Sequence, residues 1–320
     1  MCYSLQERGE NMEKPFMSVK KNVVFTAILY TFLWGCAFPL VKICMESFGI
    51  ADEDNISKCL VAGLRFTLSG IITLLWCGVS EKTLKFSKTE IKSALIYGIL
   101  ATSFQYAFTY IGLSRIDGSK GAVFDQLCVF VIVLVSGVFF KDDKLNLKKI
   151  AGCILGFFGV FVINTDMKTT FDFSLQGEGV MILATLCQTV AYFVAKKSSE
   201  TMTAQKLVGA GQLTGGILLL IFAFLAGGRI TGFNIIAVLT ILMLAVISSV
   251  AYVLSLMPLK YFPASEISSF NLLITIFGVV MSALLLKENI FKWNYLLSVV
   301  LISSGIILVN LRRKNHVEPF

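Results

Sequence analysis

The sequence has one histidine, His316, five prolines, and charge on only 15% of its residues. A lone histidine in the C-terminal tail leaves no H-E-x-x-H helix and no Cys–His pair, and no G-x-S-x-G elbow occurs; the chain is read as no enzyme. It also lacks a Walker A sequence, so ATP coupling would require a separate partner. Eight cysteines are present, none in a C-x-x-C pair, and Cys36, Cys44, Cys77, Cys128, Cys153 and Cys187 fall within apolar runs. Small packing residues explain them; no disulfide framework, no metal site and no other cofactor is expected.

Polar surface is scarce too. Of 320 residues 56% are hydrophobic, and the mean hydropathy is +0.79. A soluble domain of this length needs far more polar residues to cover itself. What the sequence has instead are apolar runs of about 20 residues, each long enough to cross roughly 30 Å of hydrocarbon as a helix. Ten are read, near 22–45, 57–79, 91–113, 117–140, 148–165, 176–197, 205–226, 232–257, 263–286 and 293–311. Strands are excluded because the runs are too long and do not alternate, and a bilayer admits only helices or a closed barrel. The fold class is therefore an all-α integral membrane protein of ten transmembrane helices, with the lipid bilayer as an obligatory partner.

The net charge of +8 is a matter of topology rather than of a nucleic-acid partner. With the N-terminus inside, 19 lysines and arginines fall in inner segments, among them Lys20, Lys85, Lys148, Lys196 and Arg313. Only seven fall outside: Lys58, Arg115, Lys120, Lys168, Arg229, Lys287 and Lys292. This positive-inside bias predicts a multi-pass protein of the cytoplasmic membrane with both termini in the cytoplasm.

The sequence repeats itself. "TSFQYAFTYIGLSRIDGSKGAVFDQL" from Thr102 aligns without gaps to "SSVAYVLSLMPLKYFPASEISSFNLL" from Ser248, an offset of 146 residues that persists to Asn164 and Asn310. The register pairs Ser103 with Ser249, Tyr106 with Tyr252, and Asp125 with Asn271. At a slightly different offset, "LYTFLWGCAFPLVKI" from Leu29 resembles "LATLCQTVAYFVAKK" from Leu183. The expected organisation is a tail 1–21, a five-helix repeat 22–165, a second 176–311 and a tail 312–320. Five is odd, so the second half enters the membrane in the opposite sense. The loops agree: "KDDKLNLKK" keeps Lys141, Lys144, Lys148 and Lys149, whereas its counterpart "KENIFKWNY" keeps Lys287 but has Ile290, Asn294 and Tyr295 at the other three places. Inverted repeats are a recurring device of secondary transporters, whose halves rock about a central site.

With these features the chain resembles the drug/metabolite transporter superfamily in its ten-helix EamA branch. The resemblance is carried by Trp34-Gly35, Phe38 and Lys42, by Arg65-Phe66, and by the paired units "FFKDDKL…GFFGVFVIN" and "LLKENIF…SSGIILVN". It implies gradient-driven export of small metabolites, commonly amino acids or related compounds. A membrane receptor or scaffold that binds a small molecule without moving it is the alternative. Members often carry a proline midway along helices four and nine; none occurs within 118–140 or 264–290 here, so both are expected to be straighter than usual.

Polar side chains inside hydrocarbon are costly, so each is a candidate with a named role. Asp125 and Gln126 interrupt the fourth run; Asp125 is read either as a proton-coupling or amine-binding carboxylate or as a structural acid held by Gln126, Tyr106 or a neighbouring hydroxyl. Asn271 is its counterpart. Trp34, Phe38 and Lys42 recur at helical spacing, as do Gln188, Tyr192 and Lys196, and each set forms a stripe that either lines a substrate cavity or packs helices. Lys42 and Arg65, placed near the outer ends of adjacent helices, are read as attracting a carboxylate on a substrate, as a gate or structural charge pair with Glu46 or Asp54 as partners, or as cations that snorkel to the headgroups. Lys196 is read as a topology lysine. Tyr106 and Tyr252, each three residues after a serine, are read either as binding a ligand or closing the cavity, or as buried tyrosines that find partners merely to pack. Gly152, Gly156 and Gly159 form a small-residue face for close packing, within one chain or between subunits, and monomer and homodimer both remain open.

Overall fold

The computed structural model describes residues 15–82, 84–113, 115–116, 118–164, 173–286 and 293–311. Most of both predicted tails and the loop lysines Lys168, Lys287 and Lys292 lie outside the described residues. Among the described residues there is no strand. A 3-10 turn, Phe16–Ser18, leads into α1 (Lys20–Ser47), followed by α2 (Asn55–Glu81). Next come α3 (Lys88–Gly98), a π turn (Ile99–Phe104) and α4 (Gln105–Leu113), which continue one another. α5 (Gly118–Phe139), α6 (Leu147–Asn164), α7 (Glu178–Ser198), α8 (Ala204–Leu225) and α9 (Ile235–Leu256) follow. The chain ends with α10 (Ala264–Ser269), a 3-10 turn (Phe270–Leu272), α11 (Leu273–Leu286) and α12 (Trp293–Asn310). Eight helical segments are long and apolar enough to cross a membrane, and Phe124–Phe139 within α5 is a shorter apolar stretch.

Several helices start where the sequence supplies caps. Asp54 accepts the Ser57 amide at 2.9 Å, Ser87 and Glu90 exchange bonds in a capping box, and Asn234 accepts the Ala237 amide at 2.9 Å. Each satisfies an amide that the first helical turn leaves without a partner.

Lys20 donates to the Asn310 carbonyl at 2.8 Å, so the start of α1 and the end of α12 share one end of the bundle. We call this the terminal end. Asp143, Lys149, Lys196, Lys206 and Glu266 are bonded there, whereas Thr231 meets Gly49 and Arg229 meets Ser57 at the far end.

Glycines decide which helices touch. Along α2 and α8, Gly63 faces Leu220, Gly216 faces Thr67, Gly70 faces Leu213 and Gly209 faces Leu74, a falling register that makes the pair antiparallel. A methyl added at Gly152 would meet the Gly305 carbonyl at 2.6 Å, and one at Gly305 would meet the Gly152 carbonyl at 2.5 Å, so α6 and α12 touch backbone to backbone. The small-residue face of Gly152, Gly156 and Gly159 is thus covered within the chain. Other contacts come in matched sets: α1 packs on α9 and α11, while α7 packs on the α3–α4 segment and α5. Exchanging each helix for its counterpart in the other half returns the same pairings, which is the signature of a two-fold relation between the halves.

The absence of proline leaves α5 continuous, as expected, but does not do so for the ninth run. There the helix tightens to 3-10 over Phe270–Leu272. Serines supply the local reason: Ser268 and Ser269 bond back to the carbonyls of Ser265 and Glu266, and Asn310 donates to Ser269 Oγ at 2.9 Å. Such back-bonding competes with the regular ladder.

Candidate functional site

An aromatic layer lies midway along the bundle. Trp34 on α1 meets Tyr252 on α9 edge to face with centroids 5.0 Å apart. Phe66 on α2 contacts Tyr106 on α4 at 4.5 Å and Tyr252 at 6.2 Å. The hydroxyls of Tyr106 and Tyr252 are hydrogen bonded at 3.1 Å. These two tyrosines are counterparts at the repeat offset, so a residue bonded to its own counterpart marks where the two-fold axis passes.

The serines that precede them are engaged elsewhere. Ser103 donates to the Gly215 carbonyl at 2.8 Å, and Ser249 is bonded to Thr73 at 2.7 Å. These bonds also correspond, the first joining the α3–α4 segment to α8 and the second joining α9 to α2. The π turn before Tyr106 lies where α3 and α8 come closest: a methyl on Gly98 would approach the Gly211 carbonyl to 2.2 Å, and one on Gly215 would approach the Gly98 carbonyl to 2.2 Å. One extra residue in the helical ladder lets Gly98 stay in that contact while Tyr106 turns to the axis.

Arg65 departs from the sequence reading. α2 begins at Asn55, which puts Arg65 about 15 Å along the helix by its rise rather than near an end. It is 7% exposed, its Nε donates to Ser248 Oγ at 2.8 Å, and its guanidinium lies 5.1 Å from the Phe66 ring centroid. Lys42 is exposed on α1, and no ion pair joins Lys42 or Arg65 to Glu46 or Asp54 among the described residues. The two cations do not form a charge pair, because one is at mid-depth facing α9 and the other on the surface.

Asp125 is half-buried and has no hydrogen-bond or ion-pair partner among the described residues, so the reading of a structural acid held by Gln126 or Tyr106 is not what the geometry displays. It lies within electrostatic range of Tyr106, as does Arg65. Three other candidates carry sealed polar atoms without partners: Gln126 Oε1, Tyr192 OH and Asn271 Oδ1. Buried polar atoms are usually paired, and leaving one unpaired costs about 1–3 kcal/mol, so three among the candidates call for an explanation. Gln188 is half-buried on α7, without a hydrogen bond among the described residues. Phe38 is 54% exposed and lies over Gly278 on α11, away from the aromatic layer.

Two features escaped the sequence reading. Ser69 donates to Gln212 Oε1 at 2.6 Å, joining α2 to α8; an intramembrane glutamine in "GAGQLTGG" was the available signal. At the terminal end, buried Asp143 takes bonds from Lys149, the Ser265 hydroxyl and, at 2.8 Å, the Ser265 amide. Beside it Lys196, read as a topology lysine, is buried and donates to the carbonyls of Leu259 at 2.8 Å and Phe262 at 2.9 Å, with Asp142 at 3.5 Å. It caps the end of the α9 segment, whose carbonyls need cationic donors. A cavity of about 470 Å³, lined by Met17, Glu90, Lys206 and Tyr261 among others, opens at this end, and none of the candidate residues lines it.

The two ends differ. Leu259, Phe262 and Phe270 at the terminal end are buried, whereas their counterparts Leu113, Ile116 and Phe124 at the far end are partly exposed; Gly121, the counterpart of the buried Ile267, is buried too.

Comparison with known proteins agrees with this architecture. A solved crystal structure superposes with a TM-score of 0.74 at 14% identity, over 91% of this chain and 96% of its own, which shows a shared fold. The "Probable amino-acid metabolite efflux pump" of Escherichia coli is 24% identical over 91% of this chain and 95% of its own. The "Uncharacterized transporter YoaV" of Bacillus subtilis is 25% identical over 64% of this chain and 67% of its own. The model of the EamA-like transporter family matches twice, at 21–165 and at 175–311, and the chain belongs to that family.

Proposed function

We propose that this membrane protein is a secondary transporter that exports small metabolites, amino acids or related compounds, by alternating access about the Tyr106–Tyr252 pair. The observation that carries the reading is the bond between those two tyrosines, which puts the junction of two opposed halves inside a layer of aromatic and polar side chains. In this reading a ligand stacks on Trp34 and Phe66, donates to the spare amide oxygens Gln126 Oε1 and Asn271 Oδ1, and exchanges hydrogen bonds with Gln188 and Tyr192 once the layer opens. Asp125, unpartnered and half-buried, is the group assigned to proton coupling. Phe38 and Lys42 are assigned no ligand contact, and Arg65 is treated below.

In this proposal the terminal end faces the cytoplasm, as the lysine distribution favours. The domain organisation proposed is that of the two matched five-helix halves flanked by short cytoplasmic tails. The buried Leu259, Phe262 and Phe270 then close the cytoplasmic side while their partly exposed counterparts leave the far side looser, one of the two states alternating access requires. The name of the Escherichia coli relative supports amino-acid-like substrates.

The test is flux. Purified protein in proteoliposomes is loaded with a labelled pool of amino acids and small metabolites, and efflux is followed with and without an imposed pH gradient. Efflux above that of empty liposomes supports transport; folded protein that binds members of the pool without moving them supports the receptor alternative.

A further inference from the structure

We infer that Arg65 is the carboxylate receptor of the central site, so that recognition requires a free carboxylate on the ligand. The inference rests on the proposed ligand site in the aromatic layer and names what that site demands. Arg65 is more than nine-tenths buried, lies about 15 Å into α2, and keeps its charge because guanidinium does not lose a proton in proteins. A buried charge calls for an opposite one, yet no carboxylate lies within 4 Å of it among the described residues. The candidate neutraliser, Asp125, forms no ion pair with it, although both act on Tyr106.

The orientation of the guanidinium is fixed. Ser248 spends its only proton on the Leu244 carbonyl at 2.8 Å, so its oxygen can only accept from Arg65 Nε. Phe66 covers one face of the group. What remains is the edge bearing the two Nη nitrogens, which have no acceptor among the described residues and are not sealed off by protein. Such an edge matches the two oxygens of a carboxylate in a bidentate pair. The neutral hydroxyls of Tyr106 and Tyr252 nearby add no charge that would compete. Asp125, in reach of the same phenol, would repel a simple anion and favour a ligand that also carries a cationic nitrogen.

Matched ligands test this on the wild-type protein. Thermal stabilisation and equilibrium binding are measured in detergent for L-phenylalanine and L-leucine, for their amides, and for phenethylamine and isoamylamine, which lack the carboxylate. The acids should bind at least about tenfold more tightly than their amides and amines, as expected when a charge-assisted pair is lost. Arg65→Gln should abolish that preference and Ser248→Ala should weaken it, with Arg65→Lys intermediate because one ammonium cannot offer the fork. Should Arg65→Gln not fold, the wild-type comparison and Ser248→Ala decide. Equal binding of acids and amides, or no binding of any carboxylate by folded protein, overturns the proposal. Binding with acid preference but no flux would sink the transport reading alone, whereas flux indifferent to the carboxylate would sink the Arg65 assignment alone.

Discussion

At the scale of single residues, a shared axis turns two separate side chains into one unit. Tyr106 and Tyr252 exchange one hydrogen bond, so Tyr106→Phe and Tyr252→Phe remove the same interaction, worth about 1 kcal/mol. Each single change should lower the melting temperature in detergent by a similar amount, and the double change should cost clearly less than the two added together. Additive losses would mean that each hydroxyl has its own partner. Asp125 gives a functional rather than structural prediction. Having no partner among the described residues, it can lose its charge without stranding another group. Asp125→Asn should leave the protein folded and exchange down a substrate gradient intact while abolishing the response of flux to a pH gradient; proton-driven flux that persists in the variant rejects the coupling role. The sequence named Tyr106, Tyr252 and Asp125 as candidates but could not foresee that the two tyrosines would touch. It also joined Trp34 and Phe38 in one stripe. Phe38 instead lies over Gly278 on α11 and is exposed.

Among elements, backbone approach sets tolerance to change. Gly98 and Gly215 bring α3 and α8 within a distance that leaves no room for a methyl, the obstacle at Gly98 being the Gly211 carbonyl and at Gly215 the Gly98 carbonyl. Gly215→Ala should therefore lower the melting temperature by several degrees, through overpacking that typically costs 1–3 kcal/mol. Gly78, also helical, would meet only the flexible end of Leu84 at 3.5 Å, and Gly78→Ala should raise stability slightly through helix propensity. The opposite signs of the two changes in one melting assay check the packing. The start of α2 adds a pH dependence. Hydrogen bonds from Ser57 hold the Asp54 carboxyl below the usual carboxylate range. A carboxylate depressed in the fold stabilises above its unfolded value, about pH 3.9, and that contribution is lost as pH falls through the folded value. Asp54→Asn still caps but does not titrate, so its melting temperature should fall less than wild type on acidification below about pH 4. The long apolar helices were legible because hydrocarbon demands such runs. The 3-10 turn at Phe270–Leu272 was not, since it arises from serine bonds to carbonyls that proline-based reasoning ignores.

For the whole molecule, the difference between the two ends is the property that matters. The repeat predicts equal halves, yet Leu259, Phe262 and Phe270 are buried while their counterparts Leu113, Ile116 and Phe124 are partly exposed, an inequality that fits one state of the proposed alternating-access cycle. The proposed closure has named parts. Lys196 ties the carbonyls of Leu259 and Phe262 to α7, and Asp143 ties Ser265 to Lys149 at the start of α6. From sequence, a lysine near a helix end is indistinguishable from one that snorkels to headgroups, which is why this latch was invisible there. Lys196→Met keeps the length of the side chain and removes its donors, whereas Asp143→Asn would also strand Lys149 and risk the fold. Cys128, buried on α5 and bonded to Thr189 at 3.6 Å, belongs to the same packed cluster as Ile267 and reports whether this end is closed. With N-ethylmaleimide and peptide mapping, wild-type Cys128 should react slowly and Lys196→Met should speed its modification severalfold, while Cys44, buried in the far-end cluster, keeps its wild-type rate. Faster reaction at both cysteines would indicate general loosening instead of an opened end. An unchanged rate at Cys128 would show that Lys196 only caps carbonyls, leaving the Asp143 cluster as the part that keeps the halves closed.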